Sequence, residues 1–305
     1  MTQCVFIFPG QGSQFVGMGK DLYDQFPQVK EIYHHANESL DFDLMKLSFE
    51  GPEEKLKQTR YTQPAIFVHS YATAVLLKEK GIQPTAVAGH SLGEFSALTF
   101  AGCFSFEDGL KVVQERGRLM QEVGKKQPGS MAAIIGLSGD VLETLCQEAQ
   151  KEGPVQPANY NSPVQVVVSG SKSGVAKAME LARGKGAKRV IELTVSGAFH
   201  SSLMSDVAED FRQMIDGIRV DQPAIPVYAN VTANVVTEPN EIKDLLCQQL
   251  THSVRWVETI KNMIQKGMDR FIEVGPGRVL SGLVKQIHPE AETIQCGKIE
   301  DLDKI

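Results

Sequence analysis

Short apolar runs alternate along the chain with longer stretches in which apolar residues recur every three or four positions. CVFIF (4–8) reads as a buried strand and is followed by the loop PGQGSQ. TAVAG (85–89) is a second such run, and LGEFSALTFAG (92–102) carries a helical pattern that stops near Gly102. PVYANV (226–231) and RFIEVG (270–275) are further strands, each expected to lead into a helix. Buried strands interleaved with helices predict an α/β fold with a largely parallel sheet. The middle of the chain has a different rhythm. MAAIIGL, a helix over GDVLETLCQEAQKEG, PVQPANYN, VQVVVSG, a helix over SGVAKAMELARGKG and AKRVIEL give the order β-α-β-β-α-β. That is the ferredoxin-like arrangement. The expected organisation is a discontinuous larger domain, 1–126 and 196–305, with a smaller subdomain, 127–195, inserted into it. The cleft between them is the expected ligand site.

Composition narrows the function classes. The chain has 305 residues, 42% apolar and 22% charged, as expected of a globular protein. A net charge of −6 gives no support for nucleic acid or an anionic membrane as partner. The five cysteines are scattered and form no C-x-x-C pair, which argues against a disulfide framework or a metal site and points to a reducing cytoplasm. No apolar run approaches the ~18 residues of a membrane span. The run before Pro9 is too short for a secretory signal.

The segment AVAGHSLGEFSAL (86–98) places Ser91 in G-x-S-x-G, after an apolar strand and at the start of a helix. This is the setting of a nucleophile elbow, where glycines allow a sharp turn and the helix dipole favours a developing anion. A nucleophilic serine needs a base. Of seven histidines, His200 stands where VIELTVSGAFH passes from a strand towards a helix, the position that faces the crevice in α/β sheets. His90, beside the serine, reads as packing, His69 as a core residue, and His34, His35 and His288 as solvated. An oxyanion would need two N–H donors. The Leu92 amide can be one, and Gln11, in the glycine-rich loop, the other.

From Ser105 onward one helical face carries Lys111, Glu115, Arg118 and Glu122, and the opposite face Val112, Val113, Leu119, Met120 and Val123. Arg116 falls on the apolar face. A buried guanidinium needs an anion. It either pairs with an internal carboxylate or is held ready to grip a carboxylate of the substrate.

Taken together, FPGQGSQ, YTQPA, GHSLGE, ERG, ANYNSP, GAFHS and EVGPGRVLSGL occur in the order seen in malonyl-CoA:acyl carrier protein transacylases, and the chain resembles that family over essentially its whole length. The resemblance implies that Ser91 carries the acyl group as an ester and that His200 acts as base and then acid. It implies that Arg116 binds the malonyl carboxylate and that the Gln11 and Leu92 amides hold the oxyanion. Gln249 would orient the histidine through its main-chain carbonyl. Gln63, Asn159 and Asn161 match polar residues of the cleft, and Phe199 stands where it would restrict the acyl group. Two departures stand out: Ser253, where many relatives have proline, and Gly197 at the head of GAFH. No metal or other cofactor is implied. The substrates would be malonyl-CoA and the phosphopantetheine thiol of an acyl carrier protein. An acyl hydrolase on the same scaffold, an acyltransferase of other acyl preference and a non-catalytic carrier-binding protein are the competing readings. The cluster Arg183, Lys185, Lys188 and Arg189 reads first as a solvated charged turn, with contact to an acidic carrier as the alternative.

Overall fold

The structure, a computed structural model, describes residues 4–195 and 197–305. The expected boundary at 195/196 therefore falls at Ser196, outside the described residues. Ten strands form two sheets among the described residues. They are β1 (Val5–Phe8), β2 (Ala86–Gly89), β3 (Gly129–Ile135), β4 (Val155–Ser162), β5 (Gln165–Ser171), β6 (Arg189–Glu192), β7 (Val227–Tyr228), β8 (Val235–Val236), β9 (Arg270–Val274) and β10 (Glu292–Cys296).

The larger sheet has the order β10-β9-β1-β2-β7-β8. Its strands pair in parallel except β7 with β8. The molecule is thus mixed α/β with a mainly parallel sheet. Both faces of the centre are covered, which is why β1 and β2 read as unbroken apolar runs. In β1, Phe6 and Phe8 face one core cluster, and Val5 and Ile7 face another built around Trp256 and Phe271. PVYANV yields only the two-residue β7. It turns back into β8 before the helix Pro239–Gln249, so the expected direct passage from strand to helix does not occur there.

The smaller sheet is antiparallel, in the order β4-β5-β3-β6. Alternation splits β3 and β5 between two environments. Ala132, Ile134, Val166 and Val168 pack under the helices Gly139–Ala149 and Lys172–Gly184. Met131, Ala133 and Val167 join the main core on the opposite face. A bridge between Asn159 and Val254 ties β4 to the remainder of the chain, with the Tyr160 amide donating to the Val254 carbonyl at 2.9 Å. Among the described residues no helix is long and apolar enough to cross a membrane.

Candidate active site

The turn from β2 into the helix Leu92–Phe100 is set by contacts too close for any side chain. A Cβ on Gly89 would lie 1.8 Å from the Gly93 carbonyl carbon, and one on Gly93 would lie 2.0 Å from the Phe8 carbonyl oxygen. The turn holds Ser91 at φ 52°, left-handed for a residue with a side chain. Such strain persists where surrounding contacts enforce it. Here Asn230 enforces it: its Oδ1 accepts from the Ser91 amide at 2.7 Å, and its Nδ2 donates to the Gly89 carbonyl at 2.6 Å.

The Ser91 hydroxyl donates to His200 Nε2 at 2.7 Å. His200 Nδ1 in turn donates to the Gln249 main-chain carbonyl at 2.7 Å, which fixes the tautomer. The Ser253 hydroxyl donates to the Pro157 carbonyl at 2.6 Å, so serine at this position anchors the segment after Gln249 and leaves its carbonyl in line with the imidazole. His200 is 3% exposed. Burial, followed by the nearby Arg116 charge, pulls its pKa down to about 3, so the ring is neutral and able to accept a proton.

The sequence argument placed His200 at a strand end of the parallel sheet, and the structure corrects this. The preceding strand is β6, which belongs to the antiparallel sheet, and His200 lies in a turn at φ 57°. Gln156 on β4 braces that turn: its Nε2 donates to the His200 carbonyl at 3.2 Å and to the Thr251 carbonyl at 3.0 Å. The imidazole is thus carried on a turn tied to β4 of the smaller sheet.

Arg116, on the helix Phe106–Lys126, is 1% exposed. Among the described residues it has no ion pair. Its Nη1 donates to Gln63 Oε1 at 2.8 Å, and its Nη2 to Gln249 Oε1 at 2.8 Å and to Ser91 Oγ at 3.1 Å. Its Nε has no acceptor among the described residues. Burial lowers its pKa to about 9 while the Glu94 carboxylate opposes the fall, so it stays charged at neutral pH. The guanidinium also lies over the Phe95 ring, 5.2 Å from its centroid.

A cavity of about 120 Å³ opens beside these groups, lined by Ser91, His200, Arg116, Met120, Val195 and Phe199 among others. Gln11, Leu92 and Asn159 also line it. Leu92 opens its helix, so its amide has no acceptor within that helix. A second cavity of about 200 Å³ shares Gln11, His90, Asn159 and Leu193 with the first and extends past Asn161 to Val279. Gln63 lies behind Arg116 and lines neither cavity; its Nε2 faces Met120 Sδ at 3.2 Å. His90 Nε2 donates to Asn161 Oδ1 at 2.8 Å. Among the described residues no group of His, Cys, Asp and Glu could hold a metal ion.

Three polar residues in this array were absent from the sequence reading: Asn230, Gln156 and Glu94. Glu94 had a signal, being the lone charged residue in its helix, LGEFSALTF.

The profile of the acyl transferase domain matches residues 5–299. The chain belongs to the acyl transferase domain family. It is 45% identical over 304 residues to the malonyl CoA-acyl carrier protein transacylase of Bacillus subtilis (strain 168), covering 99% of this chain and 96% of that protein. Among solved structures, an acyl carrier protein S-malonyltransferase from Vibrio cholerae is 41% identical and superposes with a TM-score of 0.96, covering 99% of each chain. A type II PKS acyl-carrier protein in complex with its malonyl-transacylase matches at 38% identity and a TM-score of 0.95, covering 99% of this chain and 98% of that one.

Proposed function

We propose that the protein transfers the malonyl group of malonyl-CoA to the phosphopantetheine thiol of an acyl carrier protein. One observation carries the reading: a buried guanidinium that bonds to no carboxylate among the described residues stands 3.1 Å from the hydroxyl of a serine bonded to histidine. A simple esterase has no use for that charge, whereas a malonyl thioester brings the missing anion.

The reaction runs in two halves. The Ser91 hydroxyl passes its proton to His200 Nε2 as Oγ bonds to the thioester carbon. The oxyanion is held by the Gln11 and Leu92 amides. Collapse breaks the C–S bond, coenzyme A leaves as a thiol with the proton from His200, and malonyl-Ser91 remains. The carrier's thiol then enters, His200 removes its proton, and the second collapse regenerates Ser91. The 200 Å³ cavity offers the pantetheine arm a route to the serine. Phe199, beside the base, restricts the acyl group at its α-carbon. We read the architecture as an α/β-hydrolase-like unit, 1–126 and 196–305, carrying a ferredoxin-like unit, 127–195. No cofactor enters the scheme. A cytoplasmic setting suits five buried free cysteines.

Mixing the protein with malonyl-CoA and measuring intact mass tests the reading. A stable malonyl adduct that Ser91→Ala abolishes and that holo-carrier discharges is the expected result. Rapid release of free malonate would favour the hydrolase, and no adduct at all would favour a binding protein.

A further inference from the structure

We infer that Glu94 is the remote counter-charge of Arg116 and that it acts through the Gln249 side chain to hold the guanidinium ready for a substrate carboxylate. This rests on the malonyl reading above.

Glu94 follows Ser91 by three residues and is 2% exposed, yet among the described residues it has no ion pair. Its Oε2 accepts from Gln249 Nε2 at 2.5 Å and from the Asn230 amide at 3.3 Å. Gln249 is itself fully buried. Its Oε1 accepts from Arg116 Nη2 at 2.8 Å, and its Nε2 also donates to the Ser91 carbonyl at 3.1 Å. The amide thus spans a carboxylate and a guanidinium. Only one orientation serves both, because an ionised carboxylate only accepts and a guanidinium only donates. Glu94 fixes the orientation of Gln249, and Gln249 fixes Arg116.

The arrangement meets two conflicting demands. A buried guanidinium needs a compensating charge. A carboxylate bonded directly to it would occupy the edge that must receive the substrate. Inserting one amide keeps the anion near enough to compensate and distant enough to leave the cavity side free. The same glutamine accepts from His200 with its main-chain carbonyl, so the carboxylate site and the base share one support. Glu94 touches no reacting atom and is a positioning residue. Burial raises its carboxyl to about 7, opposed by its hydrogen bonds and by Arg116, so the counter-charge is complete only above neutral pH, where the kinetics below are measured.

The test measures acylation of Ser91 by malonyl-CoA and by acetyl-CoA in single-turnover mode, alongside melting temperature. Glu94→Gln keeps the shape and removes the charge. The malonyl-to-acetyl ratio of kcat/KM is expected to fall about tenfold or more, mainly through KM for malonyl-CoA. Glu94→Asp keeps the charge and is expected to keep the preference for malonyl. The double variant Glu94→Gln/Gln249→Glu places the carboxylate directly on Arg116. It is expected to regain the wild-type melting temperature without regaining the malonyl preference. A merely structural Glu94 would lower both substrates' rates together, and the double variant would restore both. That outcome, or an unchanged ratio in Glu94→Gln, overturns the inference. A wild-type protein that takes no malonyl group overturns the functional reading first and this inference with it.

Discussion

One helix, Phe106–Lys126, carries two arginines two residues apart in opposite circumstances. Arg118 lies on the solvated face and binds Glu115 at 2.5 Å and Glu122 at 2.6 Å, one turn away on either side. Its pKa is raised by those partners, the Glu115 hydrogen bond foremost. Arg116 lies on the buried face, bonds only to neutral groups and is pulled down by desolvation. The solvated pair is inexpensive to form and contributes little, because water screens it and both side chains lose freedom. The buried site costs far more and leaves a donor unused. A costly charge without a direct partner, next to a nucleophile, is what a site prepared for an anion requires.

The largest test of that contrast is substitution of each arginine. Removing one partner of a desolvated charged pair costs roughly 2–5 kcal/mol, so Arg116→Ala should lower kcat/KM for malonyl-CoA by about 30-fold or more. Acetyl-CoA lacks the carboxylate, and its rate should fall much less or rise. Arg118→Ala should change neither substrate appreciably. Parallel kinetics with both thioesters check this. Equal losses for both substrates in Arg116→Ala would make it a structural residue and remove the main support for malonyl selection.

Much of the contrast could be read in the chain. Helical phase put Arg116 among Val112, Leu119 and Met120, and Arg118 among glutamates, because a 3.6-residue period is a local property. The serine elbow was readable for the same reason, since strand, glycines and helix are adjacent. What surrounds these residues was not. Asn230 and Gln249 lie 139 and 158 residues from Ser91, the residue they brace, and no local pattern marks either pairing. Glu94 was passed over because a first-turn glutamate reads equally well as a solvated helix start. His200 does meet the Ser91 hydroxyl, but not for the reason the sequence offers, since its turn is braced by Gln156 on β4. The brief β7 and its reversal into β8 were missed because two-residue strands fall below what alternation can mark.

The buried side also carries a stability cost that the solvated side lacks. His200 titrates near 3 in the folded protein, and an exposed histidine near 6.5. Between those values the unfolded chain takes up a proton that the folded site refuses, so stability is lost as pH falls from 6.5 towards 3. At pH 5 the loss from this group is about 2 kcal/mol, a shift of a few degrees in Tm. Thermal melts of wild type and His200→Ala at pH 7 and pH 5 should show the variant losing that much less. His69, held down to about 4 by burial, is present in both and cancels. Equal acid sensitivity in the two would mean that His200 accepts a proton in the fold and that the buried face is less dry than its burial implies.

The smallest expected effect concerns a third class of cation. Arg183, Lys185, Lys188 and Arg189 are exposed and, among the described residues, have no carboxylate partner. They resemble Arg118 in exposure and Arg116 in lacking an acid. Lys188 and Arg189 lead into β6, whose continuation through Leu193 and Val195 lines the cavity beside Ser91. Unpaired surface charges on the approach to a site raise the encounter rate with an oppositely charged partner. If an acidic carrier pairs with two of them at about 0.5 kcal/mol each, losing both pairs raises its KM roughly fivefold, and reversing Lys188 and Arg189 to glutamate should raise it by at least that much. The effect should shrink at high salt, where the Debye length falls to about 3 Å. KM for malonyl-CoA in the first half-reaction should change less than KM for the carrier. Carrier transfer measured across a salt series separates the cases. A salt-independent KM, unchanged by the reversal, would show that these four residues are a solvated turn like the Arg118 face and that the carrier approaches from another side.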